Sequence, residues 1–506
     1  MTAAPKASIL LGIDVGTSGA KVVATDLEGR LVRSGTARYG TRVDADDGGA
    51  EQQADSWWEA ITSVAPRVVA GDHVLGVAVT SQAPTLVPVD DEGRATGPAL
   101  TWLDRRAVAE AREIAEIAPG HRNGADPFFG TAKLPWLLRH WPRVGARTHH
   151  VLSANGYVAA RLTGRISLDD STASLMQAFD ESTGTFDERL RGRGLGIELL
   201  PPIMKTTDVI GAVTPRAAAA TGIPAGTPVA AGAVDSVGSA LEAGALEIGD
   251  PLVDMTGFSS ATVLAVPAGT HVPGFIHERH CLPGVDLLIT AQVTAGATVD
   301  WVNRLAGGGR DLREATTLLA RPRPSRLTTV PSFAGERTPT WNTRARGVID
   351  GVDLATDGEE IMLSVLEGNS MELADDVAEL RARGFSVDRV LGTGGGAASA
   401  AWLQIKADVL GVPVLHPRVG HGAAQGASYL AGLAVGVHDQ SSLRRFAADI
   451  DQEFTPDAEL HARYESRRDH FSRVRELNRA RTDQAATPAA AGENPHRTTI
   501  PTSEEH

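Results

Sequence analysis

A chain of 506 residues is too long for one hydrophobic core, so two or more domains are expected, each able to bury its own interior. A formal net charge of −14 argues against non-specific binding to nucleic acid or anionic membrane, and a single cysteine, Cys281, excludes an internal disulfide and a cysteine metal cluster. No apolar run approaches the roughly 18 residues of a membrane span, and the run after Lys6 is too short for a signal peptide, so a cytoplasmic protein is expected.

The apolar run Ile9 to Ile13 delivers one carboxylate, Asp14, to a turn of Gly16, Thr17, Ser18 and Gly19, and a second apolar run, Val22 to Ala24, follows at once. Strand, small hydroxyl-bearing turn and strand predict a hairpin, not the strand-to-helix step of a P-loop. The backbone N–H groups of such a turn, with the Thr17 and Ser18 hydroxyls, can donate to phosphate. Asp14 can hold a magnesium ion beside it, directly or through water, and Lys21 adds a positive charge. An ordinary glycine turn would use the same residues.

Val74 to Thr80 reads as a strand ending at Ser81-Gln82-Ala83-Pro84, with Leu86 to Val89 as its partner across that turn. Residues 105–117 and 133–141 read as helices, the second stopped by Pro142. The Trp57-Trp58 pair fits a core better than a sugar-stacking platform. Pro228 to Gly232 reads as a strand, followed by Asp235 and a helix to about Ala245, and Glu247 to Pro251 as a hinge. Leu252 to Met255, the turn Thr256-Gly257-Phe258-Ser259-Ser260 and Ala261 to Val266 form a second hairpin that echoes the first. The echo suggests a duplication, with the active site in the cleft between two halves. Residues 388–416 predict a strand, a turn Gly392 to Gly396 opening a helix to about Leu410, and a short strand. A polar helix over about 456–481 precedes a tail, 483–506, whose composition predicts disorder. The alternation of short strands with amphipathic helices is that of an α/β protein.

Two other chemistries fail on the residues present. Gly392 to Ala397 fits the dinucleotide fingerprint G-x-G-x-x-A, but that site expects an acid closing the next strand, which here ends Val414-Leu415-His416-Pro417. His149, His150, His271, His277 and His280 lack carboxylate or cysteine partners at metal-ligand spacing.

Gly12 to Lys21, Glu51-Gln52 with Trp57-Trp58, Trp102-Leu103-Asp104 with Arg106, Arg161 to Gly164, Ala231 to Asp235, Gly335 to Pro339, and Gly394 to Trp402 with Gln404 and Asp408 to Gly411 stand in a telling order. In that order the chain resembles the FGGY carbohydrate kinases, and within them the xylulose-kinase type. The resemblance implies two actin-like ATPase (ribonuclease H-like) domains: 8–247, holding the sugar and the catalytic Asp235, and 248–482, holding the nucleotide. It implies ATP and Mg²⁺ as cofactors and a small sugar or polyol as partner, and leaves a homodimer open. Asp235 becomes the general base; at a helix start its charge is favoured, although an N-cap would use the same residue. ATP and phosphate contacts fall on Gly16, Thr17, Ser18, Lys21, Gly257, Ser259, Gly296, Gly395 and Gly396. Substrate contacts fall on Gln82, Ala83, Pro84, Asp104, Asp235 and Ser236, and the metal on Asp14 and Asp235. Glu336 and Arg337 belong to a family loop that shapes the cleft, with a local ion pair as the simpler account.

The chain also departs from these relatives. It has Gln82-Ala83-Pro84-Thr85 where they carry Gln-Met-His-Gly, Ser236 where they carry Asn or Gln, and Phe258 where they carry a threonine. The sugar is therefore open to being a pentulose such as xylulose, a tetrulose or an alditol. A non-catalytic sugar- or nucleotide-binding regulator on the same scaffold is the alternative, and a chaperone-like ATPase a third reading.

Overall fold

The computed structural model describes residues 7–44, 46–305, 323–418, 420–447 and 450–484. The tail expected to be disordered lies outside them, save that the last helix, Ala458–Gln484, runs to its first two residues. Two seven-stranded sheets organise the chain. In the first, Ser8–Val15 pairs antiparallel with Gly19–Thr25 and parallel with His73–Ser81, and Leu31–Arg38 continues the antiparallel edge. In the second, Leu252–Thr256 pairs antiparallel with Ser260–Pro267 and parallel with Val390–Thr393, and Val285–Gln292 continues that edge. Each half thus begins with the same meander and then sets a parallel strand on the other side of its first strand. The duplication read from the two hairpins is present in the topology.

The first strand is buried on both faces. Ile9, Leu11, Ile13 and Val15 point into the core of the first half, and Leu10 points into a cluster shared by both halves. Such a strand needs an unbroken apolar run rather than alternation, and Ile9 to Ile13 is one. The shared cluster joins Val234, Val237 and Leu241 of the helix Asp235–Ala243 and its approach to Val253, Val263, Leu287 and Ile289 of the second sheet. Tyr429 and Leu430 of the helix Ala423–Ala434 complete it. That helix is late in the sequence but lies on the first half. A Cβ on Gly426 would stand 1.8 Å from the Gly238 carbonyl oxygen, so these two helices touch backbone to backbone.

Three expectations need correction. Leu86–Val89 does not pair back on His73–Ser81; it joins a separate five-stranded sheet through Ala99–Leu100 and His150–Ser153. The place beside His73–Ser81 is taken by Pro228–Ala230 and Ala233–Val234, distant in sequence, whose parallel pairing no turn signal announces. The strand read over Pro228 to Gly232 ends at Ala230, and a second short strand, Ala233–Val234, follows it. The glycine turn after Val390–Thr393 opens a 3₁₀ turn, Gly395–Ala398, and the helix Ala400–Leu410 starts afterwards on a Ser399 cap. Among the described residues no helix is long and apolar enough to cross a membrane.

The helix contact is open to test. Gly426→Ala places a methyl group against the Gly238 carbonyl, and overpacking of this kind costs about 1–3 kcal/mol. Urea unfolding should read that loss; an unchanged midpoint would contradict the contact.

Candidate active site

Thr80 stands between the two acids that matter most. It pairs with Asp14 on one side and with Ala233 on the other, so Asp14 and Asp235 emerge at the C-terminal ends of the two strands that flank His73–Ser81 in parallel. This is the edge where open α/β sheets carry their ligands. Asp14 accepts a hydrogen bond from Thr80 Oγ1 at 3.0 Å. Burial raises its pKa to about 6, against the lowering effects of Thr80 and Lys21. Burial raises Asp235 further, to about 7, and the Asp14 charge adds to the shift. The Asp14 charge is therefore felt at Asp235. Asp235 is the first residue of its helix, which Val234 caps without a side-chain bond, so the N-cap account fails. Among the described residues no side chain hydrogen-bonds to the Asp235 carboxylate; only the backbone N–H groups of residues 235 and 236 face it.

The first hairpin turn is braced from below. Gly16 N–H closes it on Gly19 O, Tyr39 Oη donates to Gly16 O at 2.7 Å, and Thr41 Oγ1 and Gln52 Nε2 donate to Thr17 O. Thr17 Oγ1 accepts from the Trp102 indole at 3.1 Å, and Ser18 is exposed at the tip. Lys21, cross-strand from Asp14, reaches His421 O at 3.4 Å. It also faces Glu242, whose pKa burial raises to about 7.

The second turn gathers the remaining phosphate candidates. Gly257 N–H donates to Ser259 O, and Gly257 O accepts from Gly296 N–H at 3.0 Å. A Cβ on Gly296 would lie 2.4 Å from that oxygen, and one on Gly396 would lie 2.5 Å from Thr256 Cγ2. Gly257, Gly296 and Gly396 are thus in one place, while Gly395 opens to space. The Phe258 side chain is 76% exposed, and its carbonyl oxygen accepts from Ala295 and Ala297 N–H at the start of the helix Gly296–Leu305. Beneath the turn, Lys406 pairs with Asp254 and donates to Thr256 Oγ1 at 2.7 Å, all three buried.

The expected sugar contacts divide. Ser236 adjoins Asp235, and its hydroxyl donates to Glu278 Oε2 at 2.6 Å. Gln82 is buried; its amide donates to Gln52 Oε1 at 2.6 Å and its own Oε1 has no partner. Ala83 packs on the shared cluster, and the Pro84 carbonyl accepts from the buried Lys133 ammonium. Asp104 is 1% exposed, and it accepts from Ala50 N–H and the Arg106 guanidinium, which also holds Glu51. Glu336 does not pair with Arg337. It binds Arg479, Ser332 and Thr340, while Arg337 stacks 4.4 Å over Trp102 and 5.0 Å over Phe128. Burial among these rings and the Arg105 charge lower its pKa to about 10. Trp57 is fully buried, as its core reading required, and no metal-competent cluster of three ligands exists among the described residues.

Thr80, Glu278, Glu242 and the Asp254–Lys406 pair escaped the sequence reading. Thr80 had a usable signal, the strand end two residues before Gln82. Glu278 had none, because Ile276–Arg279 reads as a polar loop and is a buried edge strand.

A pair of acids at strand ends, two phosphate-type turns and a repeated half define an ATP-dependent carbohydrate kinase of the two-domain actin-like ATPase fold. The chain matches the family models for the N-terminal domain of the FGGY family of carbohydrate kinases over residues 9–241 and for the C-terminal domain over residues 256–435, and it belongs to that family. It is similar to xylulose kinase of Escherichia coli (strain K12), 29% identical over 92% of this chain and 98% of the relative. It is also similar to glycerol kinase of Trichlorobacter lovleyi, 29% identical over 89% of this chain and 94% of the relative. The crystal structure of ligand-bound xylulose kinase from Lactobacillus acidophilus shares the fold with a TM-score of 0.86, at 22% identity, covering 95% of this chain and all of that one.

The acid pair predicts a pH signature. Asp235 keeps its proton up to about pH 7 in the folded protein against 3.8 unfolded, so between those values the folded state binds more protons. Its contribution to stability therefore falls as pH rises through that window. Asp235→Asn should raise unfolding free energy by about 2 kcal/mol near pH 8, with the gain vanishing near pH 4. Thermal unfolding across that range measures it, and a variant less stable at pH 8 would contradict the repulsion.

Proposed function

We propose that the protein transfers the γ-phosphate of ATP to a hydroxyl of a ketose or polyol, with Asp235 orienting that hydroxyl and accepting its proton. One observation carries this reading: a carboxylate free of side-chain partners, with its proton affinity raised to about 7, at the strand edge beside Asp14. A general base works best with a pKa near the operating pH. Gly16, Thr17 and Ser18 of the first turn, with Lys21, would receive one side of the phosphates, and Gly257, Ser259, Gly296, Gly395 and Gly396 the other. Asp14 and Asp235 fit a divalent cation, because two acids that resist joint ionisation are both stabilised beside one. Magnesium held there would neutralise charge on the phosphates.

The division into a sugar-binding half, 8–247, and a nucleotide-binding half, 248–482, is proposed on the same grounds. The boundary falls in a tight turn where Leu246 and Glu247 N–H both donate to Asp250. Arg337, carried by the second half, reaches Trp102 and Phe128 of the first, so closing the halves would shield the sugar from water. A reaction consuming ATP fits the cytoplasm. Pentuloses such as xylulose, tetruloses and alditols are the acceptor classes, since Ala83, Pro84 and Ser236 leave a smaller and less polar set of contacts than the xylulose-kinase pattern. The exposed Phe258 side chain is the observation that favours a binding protein instead. The backbone of that turn is nonetheless intact, so turnover is expected.

A panel of pentuloses, tetruloses, hexuloses and alditols scored by ADP release tests the reading. ADP should form only with a suitable acceptor, and Asp235→Ala should lower kcat by about 10²–10⁴-fold with circular dichroism unchanged. Binding without ADP release would favour the regulator, and ATP hydrolysis without sugar the chaperone-like reading.

A further inference from the structure

The Asp235 carboxylate hangs free, yet the residues on either side of it are anchored. Val234 donates its N–H to Ser171 Oγ at 3.0 Å. Ser171 in turn donates to Asp169, which also accepts from Asn155 and Thr172. On the other side, Ser236 Oγ donates to Glu278 Oε2 at 2.6 Å. The first anchor belongs to the first half of the chain. The second reaches across to the second sheet, where Glu278 sits in the edge strand Ile276–Arg279.

That strand is itself strapped to the first half. His277 N–H donates to Asn123 Oδ1 at 3.0 Å and its carbonyl accepts from Asn123 Nδ2 at 2.9 Å, while Arg279 N–H donates to Ser174 Oγ at 2.8 Å. Glu278 between them is 0% exposed, and its Oε1 is buried with no partner. Ile276 on the same face and Leu287 opposite Glu278 belong to the apolar cluster shared by the halves. Burying a carboxyl there with half of its hydrogen-bonding capacity unmet is unfavourable, and an apolar residue would pack the site at lower cost. Among the described residues the Ser236 bond is the one polar contact of its side chain, and it ends one residue from the proposed base.

We propose that Glu278 is a positioning residue for phosphoryl transfer: by holding the Ser236 hydroxyl it fixes the first turn of the helix Asp235–Ala243 and aims the Asp235 carboxylate. The proposal rests on the reading of Asp235 as the group that orients the accepting hydroxyl. Its force comes from the free state of Asp235, which has only its backbone to set its direction. A misplacement of about 1 Å at a reacting group costs on the order of 10²-fold in rate.

A double-mutant cycle tests it, with kcat and KM measured on ATP and the best acceptor of the sugar panel. Ser236→Ala and Glu278→Ala should each lower kcat about 10- to 100-fold while KM for ATP stays within about twofold, and the double variant should be no slower than the worse single one. Glu278→Gln keeps an oxygen that accepts the Ser236 hydroxyl and should recover most of the lost kcat. Losses that multiply in the double variant, or a folded Glu278→Ala with wild-type kcat, would overturn the proposal. If Glu278→Ala does not fold, Ser236→Ala against Glu278→Gln decides it: wild-type kcat in the first or a slow enzyme in the second is fatal. Asp235→Asn runs alongside. Full activity there removes the base assignment and this proposal with it, whereas an inactive Asp235→Asn with an additive cycle removes the positioning role alone.

Discussion

Two acids share one sheet edge, where burial raises the proton affinity of both and the Asp14 charge raises that of Asp235 further, and most of the molecule is arranged to keep them there. Asp14 and Asp235 sit on either side of the strand His73–Ser81, because Thr80 pairs with Asp14 on one flank and with Ala233 on the other. Among the described residues neither carboxylate is neutralised by a close salt bridge: Lys21 acts on Asp14 at a distance, and Asp235 has only backbone donors. The repulsion is a standing cost, offset by the apolar cluster that clamps the helix Asp235–Ala243 between the two sheets. A site built this way is stabilised by a cation and by phosphate charge arriving together, which is what phosphoryl transfer brings to it.

The two halves solve the same local problem differently. In the first, the hairpin turn is stiffened by side chains donating to its carbonyls, from Tyr39, Thr41 and Gln52. In the second, the turn is stiffened by backbone contact: Gly257 caps the helix Gly296–Leu305 and Thr256 lies against Gly396. The Asp254–Lys406 pair beneath it is fully buried, a costly arrangement that holds because Thr256 and Ser260 also donate to or accept from it. This explains how Phe258 is accommodated. The turn depends on its backbone, and the phenyl group projects outward.

Local signals were read correctly where the structure they specify is local. Both hairpins, the helix following Asp235 and the burial of Trp57 follow from apolar runs and turn residues a few positions apart. Errors arose where the deciding partner was remote. Leu86–Val89 was paired with its sequence neighbour, although Ala233–Val234 occupies that place. Glu336 was given to Arg337, although Arg479 of the last helix holds it. Asp104 pairs with Arg106, the local ion pair that a spacing of two residues allows, while its other donor, Ala50 N–H, is remote in sequence.

The chain by itself therefore determined the order of elements, the repeated hairpin and the identity of the two acids, because each is written in residues that contact one another along the strand or turn. Only the tertiary structure decided that Asp14 and Asp235 flank one strand, that Gly296 and Gly396 meet at one turn, and that Glu278 stands behind Ser236. Those relations are set by parallel strand pairing and helix packing between segments far apart in sequence, and such pairings leave no period or spacing in the amino-acid order to be read.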